Sequence, residues 1–141
     1  MLKKITLISA VALTSTLAYA KDNVYRYDFN QAVQNAVSQG LIDGQVKFYL
    51  AGTGGGGQVI QKGAVTNKKT RGAFANPEES CERALHSALI QLDHAAKARG
   101  ATRVTNIVSY FKKNEYSSTS QYECYKGKTV TSVTLKGDLV R

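Results

Sequence analysis

Cys81 and Cys124 are the only two cysteines in this chain of 141 residues, and the compartment in which it folds decides what they do. The N-terminus points to that compartment. Lys3 and Lys4 form a basic start, residues 5–13 are mostly apolar, and Ala18-Tyr19-Ala20 is a small-x-small cleavage site, the order of a secretory signal peptide. Residues 5–20 make 16 positions, several of them Ser or Thr, whereas a spanning helix needs roughly 20 largely apolar residues. The expectation is a signal peptide over 1–20, cleaved after Ala20, and an exported, soluble periplasmic product. Lys21 rather than a cysteine follows the cut, so no lipid attachment is expected. In an oxidising compartment an even pair of cysteines reads first as a disulfide. Closing the loop of 44 residues from Cys81 to Cys124 stabilises a fold by about 4 kcal/mol in the chain-entropy model. The other reading is a reactive thiol at Cys81, close to a predicted helix N-terminus that lowers its pKa.

Residues 21–141 suffice for one domain with a modest core. "NVYRYDF" (23–29) reads as a strand, and Asp28 caps a helix over residues 29–39 that Gly40 stops. "GQVKFYLAG" alternates Val46, Phe48 and Leu50 with Lys47 and Tyr49, the period of a half-buried strand. "QVIQKGAVTNKK" continues as a short strand with a turn at Gly63. The clearest element is "NPEESCERALHSALIQLDHAAKARG", with Asn76 as N-cap, Pro77 at the first position, Glu78 and Glu79 in the first turn and Gly100 beyond the end. Cys81, Leu85, Ala88, Leu89, Leu92 and Ala96 fall on one stripe. Three β-branched and aromatic runs follow, at 101–111, 119–125 and 128–140, separated by the turns "KNEYSS" and "KG". The pattern predicts an α+β fold, a mainly antiparallel sheet packed against one long and one shorter helix, with Cys81 facing Cys124 on the fifth strand.

"VKFYLAG", "AVTNKKT", "SCERAL", "GATRVTNIVSYFKKNEYSS" and "YECYKG" resemble a family of small secreted bacterial proteins of unknown function, often labelled "excinuclease ATPase subunit". The resemblance covers about residues 41–139. A helix running into Gly100-Ala101 and a Val-rich strand, with cysteines on both sides, is more distantly similar to the α+β fold of the Rcs envelope-stress sensor lipoprotein. Heavy-metal-binding α+β domains have a similar plan. The stress sensor is lipidated and carries two disulfides, whereas this chain has one cysteine pair and no lipid-attachment cysteine. The resemblance implies an exported protein with a role in envelope maintenance or stress.

The ATPase label fails on spacing. A P-loop needs G-x-x-x-x-G-K-[ST] between a strand and a helix. Gly127-Lys128-Thr129 has Tyr122 in place of the first glycine and runs into "VTSVTL", a strand pattern. The run Gly54 to Gly57 has no Lys-Ser/Thr after it and leads into "QVIQ", so no helix N-terminus stands behind it. It reads as a flexible hairpin-type loop, and neither nucleotide nor any other cofactor is expected. His86 and His94, the only histidines, stand eight residues apart, about 80° round a helix. They read as solvated surface residues, and no metal site is expected. Cys81 and His86 lie five apart, about 140° round the axis, a poor nucleophile and base. No G-x-S-x-G elbow accompanies the serines.

A basic and aromatic surface remains. The chain carries a formal charge of +9, which favours anionic partners. Lys62, Lys68, Lys69 and Arg71 cluster in one segment; Lys112, Lys113, Tyr116, Tyr125, Lys126 and Lys128 fall in or beside the turns of the last three strands. Interleaved basic and aromatic residues on a sheet bind extended anionic polymers, although tyrosines also pack across strands for structure alone. Lys68, Lys69, Arg71, Lys112, Lys113 and Tyr116 are the candidate interaction surface, for an unidentified protein or an anionic envelope component. The overall expectation is a non-catalytic binding or envelope-maintenance protein. The competing expectation is a metal- or thiol-dependent enzyme using His86, His94 or a reduced Cys81.

Overall fold

The computed structural model describes residues 23–71 and 76–141; the signal peptide expected at 1–20 lies outside them. The chain runs β1 (Asn23–Asp28), α1 (Phe29–Ser38), β2 (Lys47–Leu50), β3 (Val59–Arg71), α2 (Pro77–Ala98), β4 (Arg103–Ser109), a 3-10 turn (Phe111–Lys113), β5 (Gln121–Lys126) and β6 (Val130–Val140). It is an α+β fold: two helices against a curled, mixed, six-stranded sheet, with one disulfide. Both helices start where side-chain capping signals stand. The Asp28 carboxylate accepts from the Gln31 amide at 2.7 Å, and the Asn76 side chain accepts from the Glu79 amide at 2.8 Å. Both caps satisfy amides that a first helical turn leaves without partners.

Strand β6 organises the sheet. One edge pairs antiparallel with β3 along its whole length. The other is shared: Leu135, Lys136, Asp138, Leu139 and Val140 pair with β4, and Thr131 and Ser132 pair with the end of β5. β1 then pairs antiparallel with β5, and β2 runs parallel to β4. The parallel pair is the departure from a meander of neighbouring strands, since β3 and α2 intervene in sequence between its members. The last three strands stand in the order β5–β6–β4 rather than in chain order. β4 bends where Asn106, at φ 54°, forms a bulge, because Thr105 and Val108 face Asp138 and Lys136. Gly63 does not make the expected turn. It sits at φ +67° in a second bulge that lets β3 run on unbroken, and its amide donates to the Asp138 carboxylate at 2.9 Å.

The core lies between the sheet and the helices. Cys81, Leu85, Ala88, Leu89, Leu92 and Ala96, the expected stripe of α2, are all buried, against Val104, Ile107, Val133, Leu135 and Leu139 of the sheet. Phe29, Ala32 and Ala36 bring α1 into the same core. Cys81 and Cys124 are bonded, with Cα atoms 5.8 Å apart, and tie the first half of α2 to β5. Among the described residues no helix is long and apolar enough to cross a membrane.

The glycine run between β2 and β3 is packed rather than a free hairpin loop. A Cβ on Gly55 would stand 2.6 Å from the Tyr49 ring and 2.7 Å from the Thr105 methyl, and the residue sits at φ +82°. Gly56 presents its carbonyl to the Arg103 guanidinium. Gln58 and Arg141 exchange two backbone hydrogen bonds of 2.9 Å. Gly55 and Gly57 are there because the backbone approaches its neighbours closely, a Cβ on Gly57 standing 2.7 Å from the Arg103 guanidinium and from the Arg141 carbonyl. Gly55→Ala therefore lowers stability by about 1–3 kcal/mol in urea unfolding. Gly56→Ala, whose Cβ meets nothing within 4 Å, leaves the midpoint within about 0.5 kcal/mol.

Candidate ligand-binding face

Alternation along the strands gives the sheet a covered face and an open one. On β5, Tyr122 and Cys124 enter the core, so Gln121, Glu123 and Tyr125 take the opposite face. On β3, Ala64 and Thr66 are buried and Thr66 meets Gln91 of α2 at 2.6 Å, so Val65, Asn67, Lys69 and Arg71 point to the opposite face. The 110–118 segment, pinned by paired backbone bonds between Ser109 and Tyr116 of 3.0 and 2.8 Å, contacts that face.

A chain of aromatic and charged groups crosses β1 and β5. Arg26, opposite Glu123 in register, donates to one Glu123 carboxylate oxygen from Nη2 at 3.0 Å and from Nε at 3.3 Å. Tyr125 donates its hydroxyl to the other oxygen at 2.9 Å. The Arg26 guanidinium lies 4.3 Å from the centroid of the Tyr116 ring, and Phe111 stacks on Tyr125 with centroids 3.8 Å apart. The hydrogen bond to Glu123 raises the Arg26 pKa. Burial first, and then the bond to Glu123, pushes the Tyr125 phenol above its ordinary value.

Beside this chain lies an open groove of about 510 Å³. Lys69 of β3, Lys112 of the 3-10 turn and Lys128 of the β5–β6 turn line it, with Phe111, Asn67 and Ser132. No carboxylate is among its lining residues. Lys112 and Lys113 both hold left-handed backbone, at φ 51° and 65°. That conformation costs a non-glycine residue about 1–3 kcal/mol and collects at ligand clamps. Here it carries Lys112 to the groove. Tertiary placement rather than local sequence thus brings three ammonium groups from three elements onto one apolar-floored surface.

Of the expected interaction residues, Lys69 and Lys112 line the groove and Tyr116 lies beneath Arg26. Lys68 does not join them: strand alternation turns it to the helix-covered side, although it stays partly exposed. Arg71 and Lys113 are exposed, and the Arg71 carbonyl accepts from Arg83 of α2 at 3.1 Å. The segment reading missed Arg26, Glu123 and Phe111. Arg26 and Glu123 are 97 residues apart, and only the β1–β5 register joins them.

The histidines part company. His94 is exposed as expected, whereas His86 is buried, because α1 covers it. Its Nε2 lies 2.9 Å from the Ala32 carbonyl, which only accepts, so Nε2 carries a proton there. The Glu82 carboxylate stands 3.5 Å away and takes a 2.6 Å bond from Asn35. This helix-to-helix latch occupies His86. The disulfide, fully buried at both cysteines, leaves Cys81 no thiol to act as a nucleophile. Among the described residues no three His, Cys, Asp or Glu side chains are placed to hold a metal. No protein-family model, curated protein or solved structure matches the chain.

Two measurements probe this face and the core behind it. The Glu123 side chain is only 7% exposed while that of Arg26 is 50% exposed, so the pair itself contributes little. Removing Arg26 nevertheless leaves a buried carboxylate with the Tyr125 hydroxyl as its remaining side-chain donor. Arg26→Ala lowers the urea midpoint near neutral pH, and adding Glu123→Gln recovers part of the loss. The second measurement is the alkaline limb of stability. Burial raises the phenol pKa of Tyr27, Tyr122 and Tyr125, with smaller contributions from Glu78, Glu82 and Glu123 respectively. A phenol raised in the fold keeps its proton while the unfolded chain loses its own. Its contribution is whole below pH about 10 and declines as pH rises through and beyond that value. Thermal midpoints fall above pH about 10, and Tyr122→Phe shallows that fall.

Proposed function

We propose that this chain is an exported, periplasmic, non-catalytic binding protein that presents its open sheet face to an anionic component of the envelope. Membership of the small secreted family that the sequence resembles, and a part in envelope maintenance or stress, belong to the same proposal. The observation that carries the reading is the groove: Lys69, Lys112 and Lys128 converge from separate elements around Phe111, and no carboxylate lines it. Like charges gathered without local counter-charges repel one another, and an anion relieves that repulsion. Lysines offer compact, mobile charge suited to a polymer with spaced acidic groups, whereas bidentate recognition of a single group favours arginine. Phe111, held from below by Tyr125, supplies the apolar platform. The formal charge of +9 becomes +7 when Lys3 and Lys4 leave with the leader, and this net positive charge acts at longer range and speeds encounter. The disulfide fits an oxidising compartment.

The test is binding of an acidic polysaccharide and of vesicles containing anionic lipid, against neutral polysaccharide and neutral vesicles, over a salt series. Binding to at least one acidic probe weakens steeply with salt. The triple replacement of Lys69, Lys112 and Lys128 by alanine weakens it roughly tenfold, while Lys68→Ala, on the other face, changes it less. Equal binding by the triple variant, or indifference to salt, would overturn the reading.

A further inference from the structure

β3 is the longest strand, 13 residues, and among the described residues it pairs on one side only, with β6. Its second edge presents backbone donors and acceptors without ladder partners. Val65, 52% exposed, shows that the open face is uncovered beside it, and among the described residues no other strand pairs with the edge over 64–71. An edge of that length is a template for another extended chain.

Charge decides what kind of chain fits. "VIQKGAVTNKKTR" holds Lys62, Lys68, Lys69 and Arg71 and no acidic residue. The bases serve both faces, since Lys69 and Arg71 lie on the open side and Lys68 on the helix side. Arg83 of α2, whose guanidinium reaches the Arg71 carbonyl at 3.1 Å, adds a further base at the same end. A second copy of this protein is a poor occupant. Parallel in-register pairing sets every base against itself, and antiparallel pairing over 64–71 brings two sets of Lys68, Lys69 and Arg71 into one short ladder that holds no acidic residue. Like charges directly opposite destabilise a strand pair. The bulge at Gly63 bends the N-terminal part of the strand and restricts useful pairing to residues 64–71.

We propose that the free edge of β3, over residues 64–71, captures an extended acidic peptide segment of a partner protein by strand addition. Backbone hydrogen bonds supply the attachment, and carboxylates at alternating positions, which share one face of a strand, select the partner by meeting Lys69 and Arg71 on the open side. The bases that keep copies of this chain apart are thereby the ones that admit an acidic strand. This edge adjoins the groove and shares Lys69 with it, but strand addition is read on the β3 backbone amides and stands whether or not the groove binds a polymer.

The experiment uses the exported protein with its disulfide formed. The probe is an N-acetylated, C-amidated peptide of about six residues, an ordinary strand length, alternating Thr and Glu. Amide exchange of β3 is followed by NMR. In the free protein the amides in 64–71 that point away from β6 exchange fast; with the peptide, alternate amides gain protection. A peptide of the same sequence N-methylated at alternate residues keeps the charge and loses the ladder, and it gives no such protection. A Thr-Lys peptide does not bind. Lys69→Glu and Arg71→Glu each weaken the Thr-Glu peptide about two- to fivefold, and together they admit the Thr-Lys peptide. Equal binding of the N-methylated peptide, or unchanged exchange over 64–71 with Thr-Glu peptide at millimolar concentration and low salt, overturns strand addition. Either result leaves the groove reading untouched, because polysaccharide and vesicle binding is measured without peptide.

Discussion

Everything in this fold hangs on β6 being paired along both edges. It is the strand on which β3, β4 and β5 all depend, and its two faces must serve different purposes at once. Val133, Leu135 and Leu139 enter the core beneath α2, while Ser132, Thr134, Lys136 and Asp138 take the other side. Gly137 shows how tight that junction is. A Cβ there would stand 2.9 Å from Val104 Cγ1, 3.0 Å from Ile107 Cγ1 and 3.1 Å from the Thr105 carbonyl. Only a residue without a side chain lets β4 close on β6 at that point. The bulge at Asn106 bends β4 at the same level, so the sheet curls and β4 and β5 share one edge of β6 without colliding.

The curl explains why two helices suffice. α2 crosses the covered face, and α1 seals the end where β1 and β5 lie, through Phe29, Ala32 and Ala36. The disulfide joins α2 to β5, the strand least supported by β6, which pairs with it through two residues only. Where the hydrogen-bonded ladder is shortest, a covalent link takes over. The His86–Ala32 and Asn35–Glu82 contacts do the corresponding work between the helices. His86, Asn35 and Glu82 are thereby paired, as a low-dielectric interior demands.

The helices were legible because their signals are local: a capping side chain, a proline or acidic first turn, an apolar stripe and a closing glycine all stand within one segment. The same holds for the cysteine pair, once the leader sequence suggests the compartment. What the sequence hid depends on distant pairing. β2 lies parallel to β4 although β3 and α2 separate them, and no local pattern signals such a partner. Gly63 carries the mark of a turn, yet a bulged strand needs the same left-handed residue. Reading it as a turn broke β3 in two and concealed both its length and its free edge. The separation of Lys68 from Lys69 follows from period-two alternation along an unbroken strand. His86 looked solvated because the α2 stripe was drawn for one contact, the sheet, while a second helix packs on its flank.

The two faces of the sheet also divide the chain's charge. On the helix side, the charged groups that are paired, Lys97 with Asp43 at 2.6 Å and Asp93 at 3.1 Å, act within the fold. On the open side Arg26 is satisfied by Glu123, but Lys69, Lys112 and Lys128 gather without a carboxylate in their groove. A protein that needed these lysines only for solubility gains nothing by gathering them, since dispersed charges repel less and solubilise as well. Nor does core packing require Lys112 to hold a left-handed backbone, a conformation glycine adopts at no cost. Concentrated charge and retained strain fall on the same short turn, next to the stacked pair of Phe111 and Tyr125. On the function proposed above, that coincidence serves contact with an anionic partner, for which Lys112 is already held over the Phe111 ring at 5.4 Å from its centroid.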